Sequence, residues 1–192
     1  VLNYGAFDCA SIRADIAKTG YSIVRGLIDL ESLESIRKFW VDFYRAPRID
    51  GPVTWSPYYG HRNQIGFSAN DFGHLFRSVE FIWNEPYHLL TKALACRINA
   101  LRNLIIDKPL LHGICPTPQR YQTYITTSYY PAETGWMKHH VDALTDASTL
   151  VHFIVPVTNK GLDYASGGLS LLDWNEKKID VDAMLNPTDM VF

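Results

Sequence analysis

The sequence predicts an α+β fold with a mainly β core: helices through the first half, and a jelly roll or barrel begun in the last third. Three observations predict it. Leu30, Leu33, Ile36, Trp40 and Phe43 recur at helical spacing, as do Leu89, Leu90, Ala93, Leu94, Ile98, Leu101 and Ile105. From Arg120 the chain turns aromatic and β-branched, with short apolar runs separated by turn signals. With 192 residues, 47% hydrophobic and 20% charged, the chain is long enough for one ordinary core and too apolar to be disordered.

Asp8 is placed to cap a helix running to Thr19, which Gly20 stops. Tyr21 to Arg25 reads as a short strand broken by Gly26. Asp29 caps a second helix, ended by Pro47. Residues 46–73, rich in Gly, Pro, Tyr and Asn, read as a long loop, and loops of that length are usually functional or disordered. Pro86 suits the start of a helix over 86–106 whose Leu/Ile stripe is core. Strands are then expected at Tyr121–Tyr130, Trp136–Asp142, Leu150–Val155, Leu169–Leu172 and 188–192. Pro131-Ala132-Glu133-Thr134-Gly135 and Asn186-Pro187 are the clearest turns between them, and Glu176-Lys177-Lys178 reads as a solvated turn.

Eighteen Lys and Arg against twenty Asp and Glu leave a formal charge of −2, so no basic excess exists to attract nucleic acid. No apolar run approaches the roughly 20 residues of a membrane-spanning helix. Cys9, Cys96 and Cys115 are odd in number and widely spaced, which suggests reduced thiols in a cytoplasmic protein rather than a disulfide framework. The chain opens at Val1 without a visible targeting segment, and Asp189-Met190-Val191-Phe192 closes it inside an apolar strand-like run. The expectation is a chain cut short at its C-terminal end.

The chemistry concentrates at His140-Val141-Asp142. On a strand, residues i and i+2 share a face, so an imidazole and a carboxylate would point into one cavity. One further His would complete a 2-His-1-carboxylate set, which binds iron(II) and leaves three coordination positions open. Taken alone the tripeptide is also compatible with a plain surface His–Asp pair. His139, by alternation, faces away and reads as structural or exposed.

In its surroundings the motif resembles the iron(II)/2-oxoglutarate-dependent oxygenases, in their phytanoyl-CoA dioxygenase-like branch. Tyr129-Tyr130-Pro131, Gly135 and His140-x-Asp142 resemble that family's strand, turn and ligand pair. Ile154-Val155-Pro156-Val157 resembles its apolar–Pro strand, and Gly167-Gly168-Leu169 its Gly-Gly-Leu strand. Thr188-Asp189-Met190-Val191-Phe192 resembles its Gly-Asp-Met-Val-Phe-Phe strand, with Thr188 in place of Gly. Gly20-Tyr21 with Gly26-Leu27-Ile28 resembles the entry to the family's fold.

The resemblance implies a double-stranded β-helix (jelly roll, cupin-like) with flanking N-terminal helices, incomplete at the C-terminus. One oxygenase-like domain would span 1–192, with 1–115 as helical flank and lid and 116–192 as the first part of the core. It implies Fe(II) held by His140, Asp142 and a His beyond Phe192, 2-oxoglutarate as co-substrate, and a small-molecule substrate oxidised with O2 and release of succinate and CO2. The Arg or Lys that grips 2-oxoglutarate would lie further on still. Asp142 occupies the position that related halogenases leave to a small residue, which favours hydroxylation.

Around this centre, Ser128 stands where the family places a 2-oxoglutarate-contacting Asn. Period-2 alternation groups it with Tyr130, Thr126, Tyr124 and Gln122 on one face. These are candidates for binding 2-oxoglutarate or simply a polar strand face. His61, Arg62 and Asn63 lie in the long loop and could meet a substrate, or could be ordinary surface. Trp136 could pack in the core or wall the substrate. Two other readings stay open: a jelly-roll binding module that has lost its metal, and a different metalloenzyme on a cupin-like barrel.

Overall fold

The computed structural model describes residues 1–46, 64–67, 75–83, 85–114, 125–137, 139–140, 151–173 and 175–192. The helices are α1 (Cys9–Thr19), α2 (Leu30–Arg45) and α3 (Leu89–Ile105). The strands are β1 (Ile23–Val24), β2 (Gln64–Phe67), β3 (Leu75–Phe81), β4 (Thr126–Tyr129), β5 (Ser170–Leu172), β6 (Lys178–Asp180) and β7 (Met190–Val191). They pair antiparallel as β1–β7, β2–β3–β4 and β5–β6. Among the described residues no sheet closes into a barrel.

The helix signals in the sequence correspond to local contacts. The Asp8 carboxylate accepts from the backbone N–H groups of Ala10 and Ser11, and Gly20 ends α1 at φ 86°. Asp29 accepts from the Ser32 N–H and starts α2. Ala46 is extended, as a residue before proline must be. Arg13 of α1 caps the end of α3, donating to the carbonyls of Ile105 (2.8 Å) and Leu104 (2.6 Å) in its last turn. Trp40 of α2 donates Nε1–H to the Thr91 hydroxyl of α3 at 2.8 Å, so even the buried indole is satisfied. The expected faces need two adjustments. Leu33, Ile36 and Trp40 are buried, but Leu30 is exposed because it sits at the first turn of α2. Leu89, likewise the first residue of α3, is exposed while Leu94, Ile98, Leu101 and Ile105 are buried.

The region expected to be a long loop contains a strand. Within 46–73, Gln64–Phe67 forms β2 and pairs with β3, which the sequence reading passed over. The physical reason lies in β3, where Val79 and Phe81 are fully buried and alternate with Ser78 and Glu80. A seven-residue strand of that kind supports a neighbour on each edge, β2 and β4. The helical first part of the chain therefore contributes two of the three strands in the largest sheet.

β7 joins the two ends of the chain. Ile23 pairs with Val191 and Val24 with Met190, and Ser22 and Phe192 exchange two backbone hydrogen bonds of 2.9 Å. On its other edge Val191 and Ile154 exchange two more, at 2.8 and 3.0 Å. Leu150–Val155 was expected to be a buried strand. Among its described residues only Ile154 bridges, His152 and Ile154 are exposed, and Val151 is buried. Pro156 follows and has no N–H with which to extend the ladder. Alternation along β7 then divides the core. Met190 and Phe192 enter the cluster formed by α1, α2 and α3, whereas Val191 enters a second one with Val181 and Leu185. Each fully buried Leu, Ile or Met contributes roughly 1.5–3 kcal/mol.

Asp189, 3% exposed, secures this junction. Its carboxylate accepts from the Gly26 N–H (2.9 Å), Arg25 Nη1 (2.6 Å) and the Asn186 N–H (2.8 Å). Burial alone would raise its pKa, but the Asn186, Arg25 and Gly26 donors outweigh burial and hold it below the ordinary value. The turn ahead of it follows type II rules, with Pro187 at the second position, the Asp189 N–H on the Asn186 carbonyl at 3.2 Å, and Thr188 at φ 77°. A β-branched residue is strained there, and glycine is not.

Two outcomes follow. Thr188→Gly is expected to raise unfolding stability by about 1 kcal/mol, or roughly 2–4 °C in Tm, in a thermal melt. A depressed carboxylate pKa contributes stability that is present above its unfolded value near 4 and is lost as pH falls through the folded value. Asp189→Asn is therefore expected to be less stable than the parent by about 1–3 kcal/mol at pH 7 in urea titrations, with the gap closing below about pH 4.

Candidate functional site

β4 presents two different faces. Thr127 and Tyr129 turn toward α2, where Tyr44 stacks on Tyr129 with centroids 4.9 Å apart and reaches the Thr127 hydroxyl at 3.0 Å. Ser78 and Glu80 of β3 share that face by register, and the Ser78 hydroxyl donates to Glu80 Oε1 at 3.2 Å. Thr126 and Ser128 occupy the opposite face, with hydroxyl oxygens 3.5 Å apart, as alternation predicts. Their register partners Phe81 and Val79 are buried, while Ser128 is exposed and Thr126 half-buried.

After β4 the chain turns sharply. The Gly135 N–H donates to the Pro131 carbonyl at 2.8 Å and the Thr134 N–H to the Ala132 carbonyl at 2.7 Å, with Glu133 at φ 66°. A Cβ on Gly135 would lie 2.5 Å from the Pro131 oxygen and 2.7 Å from the Tyr130 carbonyl carbon, both backbone atoms that cannot swing aside. Tyr130 is 40% exposed, and its hydroxyl lies 3.2 Å from the Met137 sulfur.

The segment that follows departs from expectation. Trp136–Asp142 was expected to be a strand, but its described residues, Trp136, Met137, His139 and His140, lie in none. Trp136 is 58% and Met137 46% exposed, so neither is packed as the inward-facing residue of a core strand would be. Strand alternation therefore does not orient His140, which is exposed. His139 is also exposed, and its Nε2 shares a 3.0 Å hydrogen bond with the Ser170 hydroxyl of β5. Asp142, Tyr124, His61, Arg62 and Asn63 lie outside the described residues.

The β5–β6 hairpin beside His139 is tied at both ends. At its closed end the Asp173 carboxylate accepts from the N–H groups of Asn175 and Lys177, each at 2.8 Å. At its open end Asp182 accepts from the Leu169 N–H at 2.7 Å and from the Tyr164 hydroxyl. Burial, then the Asp182 carboxylate, pushes the Tyr164 pKa upward. Gly168 at φ 95° lies so close that a Cβ would be 2.3 Å from Asp182 Oδ2. Lys160 pairs with Asp180 and donates to the Gly167 carbonyl at 3.0 Å. The Gly-Gly-Leu run thus serves a close approach. No sequence signal marks Asp182 or β6, or singles out Ser170 within the expected Leu169–Leu172 strand. Asp182 carries no local signal, since its contact is thirteen residues away.

His140 offers an exposed imidazole of the right chemistry for Fe(II), and Asp142 would be its carboxylate companion. Among the described residues no group of three His, Cys, Asp or Glu side chains is arranged to hold a metal. Also among them, no helix is long and apolar enough to cross a membrane. Cys9 and Cys96 are unbridged. No protein-family model, no curated protein and no solved structure matches the chain.

Because Gly135 meets backbone on two sides, Gly135→Ala is expected to cost about 1–3 kcal/mol in chemical denaturation and to loosen the His139–His140 segment.

Proposed function

We propose that this chain is part of an iron(II)- and 2-oxoglutarate-dependent dioxygenase, built on a double-stranded β-helix, that hydroxylates a small molecule. The observation that carries the proposal is His140-x-Asp142 set among four further segments resembling the phytanoyl-CoA dioxygenase-like family. Spatial grouping supports it. The segments around Tyr21–Gly26, Ile154–Val157 and Thr188–Phe192 lie side by side through the β1–β7 pairing and the Ile154–Val191 bridge. Leu169 of the Gly-Gly-Leu run packs into the cluster that contains Val191.

In this reading His140 and Asp142 hold the metal with a second His, which the resemblance puts beyond Phe192. When bound, iron(II) would supply the redox chemistry that couples substrate, O2 and 2-oxoglutarate to hydroxylated product, succinate and CO2. The hydroxyls of Ser128, Thr126, Tyr130 and Tyr124 would donate hydrogen bonds to the 2-oxoglutarate carboxylates. Trp136 would offer an apolar wall to the substrate, and His61, Arg62 and Asn63 would supply polar contacts from the long loop. A cytoplasmic setting belongs to the same proposal and rests on the cysteine usage.

The test is succinate release by the longest form that the gene encodes, supplied with Fe(II), 2-oxoglutarate and O2 over a panel of small molecules. Turnover that falls to background in His140→Ala and in Asp142→Ala is the expected outcome. An absence of iron-dependent succinate across the panel, in a folded protein, would sink the proposal.

A further inference from the structure

Trp136, Met137, His139 and His140, the described residues of the segment, make no strand pairing, so side-chain contacts bear on where they point. A long-range side-chain contact reaches this segment. His139 Nε2 lies 3.0 Å from the hydroxyl of Ser170, thirty-one residues on. Ser170 stands on a stiff base. It opens β5 opposite Asp180 of β6, and Asp180 is held by Lys160. The preceding residue, Leu169, is fixed by its N–H on Asp182 at 2.7 Å. Fixing the His139 ring against that base fixes the peptide that joins it to His140.

We propose that the His139–Ser170 hydrogen bond helps to aim the His140 imidazole. This makes His139 and Ser170 positioning residues, and the inference rests on the metal reading given above. Neither residue touches the metal. The hairpin supplies the rigidity, Ser170 transmits it, and His139 passes it to the neighbouring ligand. Contacts of this kind around a metal ligand typically change affinity by roughly 10–100-fold when removed.

Co(II) alone serves as the probe, titrated against the longest form that the gene encodes, which carries the second His the metal reading requires, with amide hydrogen exchange followed in parallel. In Ser170→Ala, the Co(II) affinity is expected to fall by roughly 10–100-fold. The amides of His139 and His140 should exchange faster while the thermal midpoint stays in place. Ser170→Thr, which keeps the hydroxyl, should restore both, and His139→Gln, which keeps a donor near the Nε2 position, should lose less than His139→Ala. Co(II) binding and exchange in Ser170→Ala that equal those of the parent would overturn the positioning role. No Co(II) uptake by the parent would instead overturn the metal reading, leaving exchange alone to decide whether Ser170 holds the segment.

Discussion

A single buried carboxylate ties the described fold together. Asp189 meets the Gly26 amide across a separation of 163 residues, and with Arg25 and Asn186 it locks two turns against each other. β7 follows directly and is only two residues long, too short to hold its place by ladder bonds alone. Its alternation sends Met190 and Phe192 into the helical core and Val191 into the core beneath the β5–β6 hairpin. The helical layer and the hairpin therefore share one short strand, and Asp189 determines where that strand lies. A buried charge is stabilising only when its donors are supplied, and three are.

The same logic extends to the candidate site. The hairpin packs on β7 through Leu169, Leu171 and Ile179, and Asp182 fastens its open end by closing on Gly168 and Leu169. The exposed His139–His140 segment meets this hairpin at Ser170. A mechanical line thus runs from the chain's own N-terminal turn, through Asp189 and β7, to the residue beside the proposed metal ligand. Backbone rigidity there comes from side-chain carboxylates more than from long strands.

Much of the helical layer was legible in the sequence because its signals are local. Asp8, Gly20 and Asp29 act on residues within a turn of themselves, and the stripe along α3 reports its own burial. The strands were legible only where turn residues bracketed them, as at Ser170–Leu172 and Met190–Val191. β2 and β3 were missed although Ser78-Val79-Glu80-Phe81 alternates, because a buried Glu80 disguises a core strand as a polar one. The strand expected at Trp136–Asp142 failed in its described part for the converse reason. Its residue types favour β structure, but Trp136 and Met137 stay about half exposed. Of the candidate site, the Thr126–Ser128 face followed from period 2, whereas the Ser170 contact to His139 depends on tertiary proximity that no local pattern encodes.

The central claim is that His140 and Asp142 hold a metal that 2-oxoglutarate chelates, and anaerobic visible spectroscopy tests it most directly. Fe(II) is added to the protein, then 2-oxoglutarate, with oxygen excluded so that no turnover intervenes. The account predicts a charge-transfer absorption that needs both additions, saturates with 2-oxoglutarate, and is missing in Asp142→Ala. A folded protein that takes up Fe(II) without that absorption, or one in which Asp142→Ala leaves it intact, would contradict the account.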